Sequence, residues 1–287
     1  MSMIDFPLKN SIGVFDSGVG GLSVFREIRK KIPDYPIIYL GDQIHVPYGT
    51  KTLEEVYIFS KTITEFLIEL GARIIVVACN TASAAALHAL RNEYPTIPFV
   101  GMEPAVKPAA EKTITGNVGV LATPATFEGK LYNSVVERFG KSVNIFQNTC
   151  VGLVQEIEKG NFSGPETRKI LENALIPMIE NNVDNIVLGC THYPFVIPMI
   201  KQIIGPSITV IDPAPAVAEQ TLRKFNEQQN LIPPISESLS FLFTSGSLKR
   251  FSNFVNQLGL ERFSAHQVEW SEDFRKINVV QNKIDQN

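Results

Sequence analysis

Cys79 closes the aliphatic run Ile74-Ile75-Val76-Val77-Ala78 and is followed by Asn80-Thr81; Cys190 closes Ile186-Val187-Leu188-Gly189 and is followed by Thr191-His192. A thiolate works as a base when its surroundings lower a pKa that starts near ~8.5, and a helix N-terminus does so by aiming backbone N–H groups at the sulfur. Residues that open a helix follow both cysteines, so both thiols are expected to be activated in this way. Two thiols in matched positions suit one reaction in particular. One sulfur removes a proton from a carbon while the other delivers a proton to the opposite face, inverting the stereocentre. Such a pair needs one thiolate and one thiol at the start of each turnover, so its titrations are coupled and its pH–rate profile is bell-shaped. Cys150 has no matched partner and reads as a small buried apolar residue.

Around these cysteines stand further candidates. Asp16 opens the stretch Asp16-Ser17-Gly18-Val19-Gly20-Gly21, whose glycines let the backbone turn tightly and present N–H groups to an anion. Neither GxGxxG nor the phosphate-loop pattern GxxxxGK[ST] is present, so a plain strand-to-helix turn remains the other reading. Asp16 ends a strand beside the one carrying Cys79, where it either serves that thiol or holds a substrate ammonium. His192, two residues beyond Cys190, is in place as an acid, base or donor, whereas His45, His88 and His266 lack such context. Glu156 reads equally as a site acid and as a solvated helix carboxylate. Pro47-Tyr48-Gly49 is a turn able to present backbone donors, with a packed loop aromatic as the alternative for Tyr48.

The elements that must position these residues recur. Ile12–Ser17 matches Val118–Thr123, Ile37–Leu40 matches Val143–Phe146, Ile74–Cys79 matches Asn185–Cys190, and Phe99–Ala105 matches Thr209–Pro215. Each is a short apolar run without alternation, the signature of a strand buried on both faces. Helices are expected at Leu53–Leu70 with Thr52 as cap, Ser83–Arg91, Pro165–Glu180 and Pro194–Ile204. The expected fold is therefore α/β: two similar domains with mostly parallel sheets, related by pseudo-twofold symmetry, the site lying in the cleft between them at the carboxyl ends of the strands. The expected division is 1–104, 105–213, and a segment 214–287 that returns to complete the first domain. Within that segment, 226–240 is polar with Pro233-Pro234, Phe241–Thr244 reads as a strand, and the residues after Trp270 read as a polar tail.

The 287 residues carry 26 Lys and Arg against 29 Asp and Glu, a formal net charge of −3, with the basic residues scattered; this argues against a nucleic-acid partner. Three cysteines without CxxC or a Cys/His ligand spacing imply neither disulfide framework nor metal, and reduced thiols imply a cytoplasmic location. Met1 to Asn10 has no basic start followed by an apolar core, so no secretory signal is expected. The apolar stretch Ile74–Leu90 is interrupted by Asn80, Thr81, Ser83 and His88, so no membrane span is expected.

Phe15–Val24, Pro47-Tyr48-Gly49, Ala78–Ser83, Glu103-Pro104-Ala105, Ala122–Thr126 and Leu188–Pro194, at fitting separations from Ile12 to Ala218, resemble the glutamate racemase family. The resemblance implies cofactor-independent interconversion of L- and D-glutamate, supplying D-glutamate for peptidoglycan, by a homodimer. It implies that Cys79 exchanges the α-proton on the D side with help from Asp16, and Cys190 on the L side with help from His192 and Glu156. Asp16, Ser17, Pro47, Tyr48, Gly49, Asn80, Thr81, Thr191 and His192 fall on the substrate-contact positions, and Thr123 and Thr126 add hydroxyls. No lysine stands in these blocks to hold pyridoxal phosphate. Gly129 replaces a frequent serine, and Phe195 a frequent leucine, which reads as a packing change. The short lead before Ile12 speaks against a type activated by a cell-wall precursor. Two rivals remain: a racemase of the same superfamily acting on aspartate or another amino acid, and a catalytically silent small-molecule binding protein.

Overall fold

The computed structural model describes residues 10–103, 105–228 and 240–280. The first nine residues, the Pro233-Pro234 stretch and the last part of the tail lie outside these. Continuous aliphatic runs form strands with both faces covered: β1 (Ser11–Asp16), β2 (Ile37–Gly41) and β7 (Asn185–Gly189) are buried at every residue. The other strands are β3 (Ala72–Val77), β4 (Phe99–Gly101), β5 (Asn117–Ala122), β6 (Asn144–Asn148), β8 (Thr209–Ile211), β9 (Ser240–Thr244), β10 (Phe263–Trp270) and β11 (Ile277–Val279).

Two sheets result. One runs β11-β10-β9-β2-β1-β3-β4 and the other β6-β5-β7-β8. All pairings are parallel except that of β10 with β11 at one edge. The order β2-β1-β3-β4 is repeated by β6-β5-β7-β8, so the four sequence pairs occupy equivalent places in two α/β domains. Strands of the C-terminal segment extend the first sheet, with β9 pairing β2 in the register Gly41↔Thr244. Helix Ala214–Glu227 packs on helix Leu22–Lys31 of the first domain.

Alternate residues of the first sheet feed two cores, one holding Phe15, Leu40 and Val77, the other Val14, Tyr39 and Val76. The second sheet divides likewise, Leu121 and Leu188 on one side and Val120 and Val187 on the other. The helix at Leu53–Glu69 starts with a capping box between Thr52 and Glu55, satisfying two backbone donors at once. The helix expected from Ser83 begins earlier and spans Asn80–Glu93, with Cys79 itself as N-cap. That expected at Pro194–Ile204 is instead a 3-10 turn, Tyr193–Val196, followed by an α-helix, Ile197–Ile204. Prolines at 194 and 198 lack the N–H that one continuous ladder needs.

Candidate active site

Parallel strands end on the same side of each sheet, and the loops that leave those ends converge. Asp16 is the last residue of β1; Cys79 lies two residues past β3, held by Ala78 N–H donating to Phe15 O at 2.8 Å. In the other domain Thr123 follows β5 and Cys190 follows β7. One small cavity is lined by both cysteines. The first domain lines it with Ser17, Pro47, Tyr48, Gly49, Cys79, Asn80 and Thr81, and the second with Thr123, Val154, Gly189, Cys190, Thr191 and His192.

The remaining candidates sit close behind this lining, except one. Asp16 accepts a hydrogen bond from Thr191 Oγ1 at 3.0 Å across the cleft, and Thr126 Oγ1 lies 2.9 Å from Thr123 Oγ1, which is itself 2.9 Å from Thr81 Oγ1. Both polar atoms of the Asn80 side chain are buried with no protein partner. A buried amide left unpaired costs about 1–3 kcal/mol, so it marks a place built to receive a polar ligand.

Glu156 is the exception. Its carboxylate accepts from Lys159 Nζ at 2.7 Å and from Asn161 Nδ2 at 2.6 Å, and it does not meet His192. The acid beside His192 is Glu158, whose Oε1 lies 2.7 Å from His192 Nε2. Both carboxylates belong to the short helix Leu153–Glu158. Glu158 is four residues from Val154, which lines the cavity, so the two share a helix face; Glu156, two residues from Val154, is turned away.

The glycine loop holds anions, but they are the protein's own. Gly18 N–H donates to Asp16 Oδ2 at 3.0 Å and Val19 N–H donates to Glu158 Oε1 at 2.8 Å. A Cβ on Gly18 would fall 1.9 Å from Glu158 Oε1, and one on Gly20 would fall 2.4 Å from His192 Nδ1. Absence of a side chain at these two positions therefore lets the second-domain dyad press against the first domain. At Gly129 a Cβ would meet Ala84 Cβ at 2.7 Å, which explains why serine is not accommodated there. Phe195 packs against Phe162 and Phe254 with ring centroids 5.9 and 5.4 Å away, joining the second domain to the helix Leu248–Gln257.

The two thiol environments differ, contrary to the expectation of two matching helix N-termini. At Cys79 the Ala82 N–H donates to Sγ at 3.4 Å, but burial and the neighbouring Asp16 outweigh it and push the thiol pKa well up. Burial also raises the Asp16 carboxyl, against the opposing pull of His192 and the Gly18 and Thr191 donors. Cys190 is followed by a 3-10 turn rather than an α-helix, and its partner is His192 Nδ1 at 3.8 Å. Burial disfavours a charged His192, yet Cys190 and Glu158 on its two nitrogens more than compensate and hold its pKa well above the usual imidazole range. Glu158 is held below the usual carboxylate range: burial opposes this, but His192, Val19 N–H and Gln43 together prevail. Cys150 has no such partner; burial, then Cys190, pushes its thiol up to about 12.

Among the described residues, no group of three or more His, Cys, Asp or Glu side chains is arranged to hold a metal ion. Nor is any helix long and apolar enough to cross a membrane.

A strand-ordered pair of α/β domains with two cysteines on one cavity can be set beside known proteins. The family model for Asp/Glu/hydantoin racemases matches residues 12–221, which contain every cavity residue. The chain belongs to this racemase family. Within it, the racemase is 43% identical to the glutamate racemase of Roseiflexus sp., over 87% of this chain and 92% of that one. It is 49% identical to the glutamate racemase of Pseudomonas aeruginosa, over 74% and 80% of the two chains. The structure of Escherichia coli glutamate racemase, in complex with L-glutamate and the activator UDP-MurNAc-Ala, superposes with a TM-score of 0.81 at 29% identity, covering 95% of this chain and 100% of that one. The enzyme from Bacillus anthracis gives 0.79 at 31% identity, covering 91% and 98%. The racemase is thus an isomerase of the glutamate racemase type.

Proposed function

We propose that the protein interconverts L- and D-glutamate without a cofactor, Cys79 and Cys190 acting as paired acid and base, and that its product is the D-glutamate used for peptidoglycan. The observation that carries this reading is that both cysteines, at equivalent strand ends of two domains, line one cavity together with an unpaired amide. The L-glutamate bound by the Escherichia coli relative supports the choice of substrate.

The electrostatics suit such a reaction. An imidazolium at His192, clamped by Glu158, faces the Cys190 sulfur, while Cys79 is kept as a neutral thiol beside Asp16. Cys190 takes the α-proton of L-glutamate, and the Cys79 thiol gives its proton to the opposite face of the carbanion. The product is D-glutamate, with Cys190 now protonated and Cys79 a thiolate, the form that runs the reaction in reverse. The substrate carboxylates meet Asn80 and the hydroxyls of Ser17, Thr81 and Thr123. These donors are buried, which limits the water that competes for them and strengthens their action on the developing charge.

Purified protein in D2O, with no cofactor added, is expected to exchange the α-hydrogen of glutamate, read by proton NMR. Cys79→Ala and Cys190→Ala are each expected to abolish racemisation. Absence of exchange at every pH from about 6 to 9 would favour the binding-protein reading, and near-normal turnover by either variant would remove its thiol from the mechanism.

A further inference from the structure

The carboxylate of Glu158 is held from three sides. Val19 N–H and His192 Nε2 meet Oε1, and Gln43 Nε2 donates to Oε2 at 2.7 Å. Gln43 comes from the loop that leaves β2, in the first domain, whereas Glu158 belongs to the second. The other end of the Gln43 amide is fixed as well. Its Oε1 accepts from Thr244 Oγ1 at 2.7 Å, and Thr244 Oγ1 in turn accepts from Gly246 N–H at 3.0 Å. A carboxylate can only accept, so the amide has one workable orientation: nitrogen toward Glu158 and oxygen toward Thr244. The adjacent residue, Asp42, points elsewhere, accepting from Tyr48 OH at 2.7 Å, Ser245 Oγ at 2.7 Å and Trp270 Nε1 at 2.8 Å.

A chain of single hydrogen bonds thus runs from the end of β9 through Thr244, Gln43 and Glu158 to His192 and the Cys190 sulfur. We propose that Gln43 is a positioning residue for proton transfer at Cys190, holding Glu158 in line with His192 from the opposite side of the cleft. This rests on the two-thiol reading above. Gln43 touches neither substrate nor sulfur; it acts through Glu158. A neutral donor suits the place. A lysine or arginine would neutralise the carboxylate that keeps His192 charged, and a glutamate would set a second carboxylate against the first and disfavour ionisation of both.

The consequence is one-sided, and it can be measured as such. Because the two enantiomers are equal in energy, kcat/KM must fall equally in both directions, so the rate alone does not say which thiol is affected. Primary isotope effects do. Gln43→Ala is expected to lower kcat/KM about ten-fold, the effect of one lost hydrogen bond to a charged group. With α-deuterated L-glutamate, where Cys190 removes the deuteron, the isotope effect on kcat/KM should rise. With α-deuterated D-glutamate, where Cys79 does so, it should fall. Gln43→Glu should show the same asymmetry, and Gln43→Asn, which keeps an amide but falls a methylene short, should lie between wild type and Gln43→Ala. A Gln43→Ala protein with kcat/KM within about two-fold of wild type would overturn the proposal. So would equal changes in the two isotope effects, the mark of a merely structural loss. If Gln43→Ala does not fold, Gln43→Asn is read against the same criteria. Cys190→Ala run alongside separates the two ideas: racemisation retained there defeats the two-thiol reading, whatever Gln43 does.

Discussion

At the scale of single residues, the two thiols are served by different chemistry. Cys79 faces a carboxyl group and Cys190 an imidazole that is itself held by a carboxylate. This difference makes the exchange of Glu156 for Glu158 consequential. Glu158→Gln removes the anion that favours charged His192, so the His192 pKa falls and the imidazolium is lost at lower pH. The alkaline limb of kcat/KM should therefore move toward neutrality, with the maximum reduced about ten- to hundred-fold, the range for losing a hydrogen bond between charged groups. Glu156→Gln, whose carboxylate meets only Lys159 and Asn161, should keep kcat/KM within about two-fold and leave the limb in place. The reverse pattern in pH–rate profiles would return the role to Glu156. Most of the candidate site was legible in the sequence because Cys79, Asn80, Thr81, Cys190, Thr191 and His192 all follow strand ends, and strand ends are visible as apolar runs. Glu158 was not legible in this way, since two glutamates on one helix turn are separated only by knowing that Val154 faces the cavity. Gln43 was hidden for a related reason: its partner Glu158 lies 115 residues away.

At the scale of elements, the loop after β1 does more than turn the chain. Its N–H groups and its missing side chains fit it to the Glu158–His192 pair, so its sequence answers to a surface on the other domain. Gly18→Ala places a carbon where Glu158 Oε1 stands. The carboxylate must retreat, taking its bond to His192 with it, while the cores on both sheets are untouched. Activity is expected to fall about ten-fold or more with the melting temperature lowered by only a few degrees; wild-type activity would show that Glu158 does not need its present position. The strands that carry the site were readable because each is buried along most of its length. The short helices were less so. Lys130–Phe139 and Leu248–Gln257 are clearly amphipathic, burying Tyr132 and Val135 in one and Phe251, Phe254 and Val255 in the other, but at ten residues each the pattern runs for less than three turns. The helix start at Asn80 was missed because Cys79, rather than a usual polar cap, receives the first-turn N–H.

At the scale of the whole molecule, two sheets with separate cores meet around the cavity through side chains that also serve it. Thr191 bonds Asp16, the Ser23 hydroxyl bonds Thr191 O, Glu158 bonds Val19 and Gln43, and Thr81 meets Thr123. Away from the cavity, Phe162, Phe195 and Phe254 form a second, apolar joint. A substrate gripped by both domains adds contacts across this boundary that the unfolded chain cannot make, so it stabilises the pair as a unit. At a concentration a hundred times Kd the gain is about 2.7 kcal/mol, which for a protein of this length is a rise of about 5 °C in melting temperature. In the active protein L- and D-glutamate should give the same rise, because the enzyme equilibrates them. In Cys190→Ala the enantiomers stay distinct, and each should still raise the melting temperature, by amounts that need not match. If the donors are spaced for glutamate, aspartate, one methylene shorter, should give a clearly smaller rise at the same concentration. Scanning calorimetry at fixed pH decides this. Equal shifts with aspartate and glutamate would move the specificity toward the shorter acid, and no shift with either would show that neither amino acid bridges the two domains.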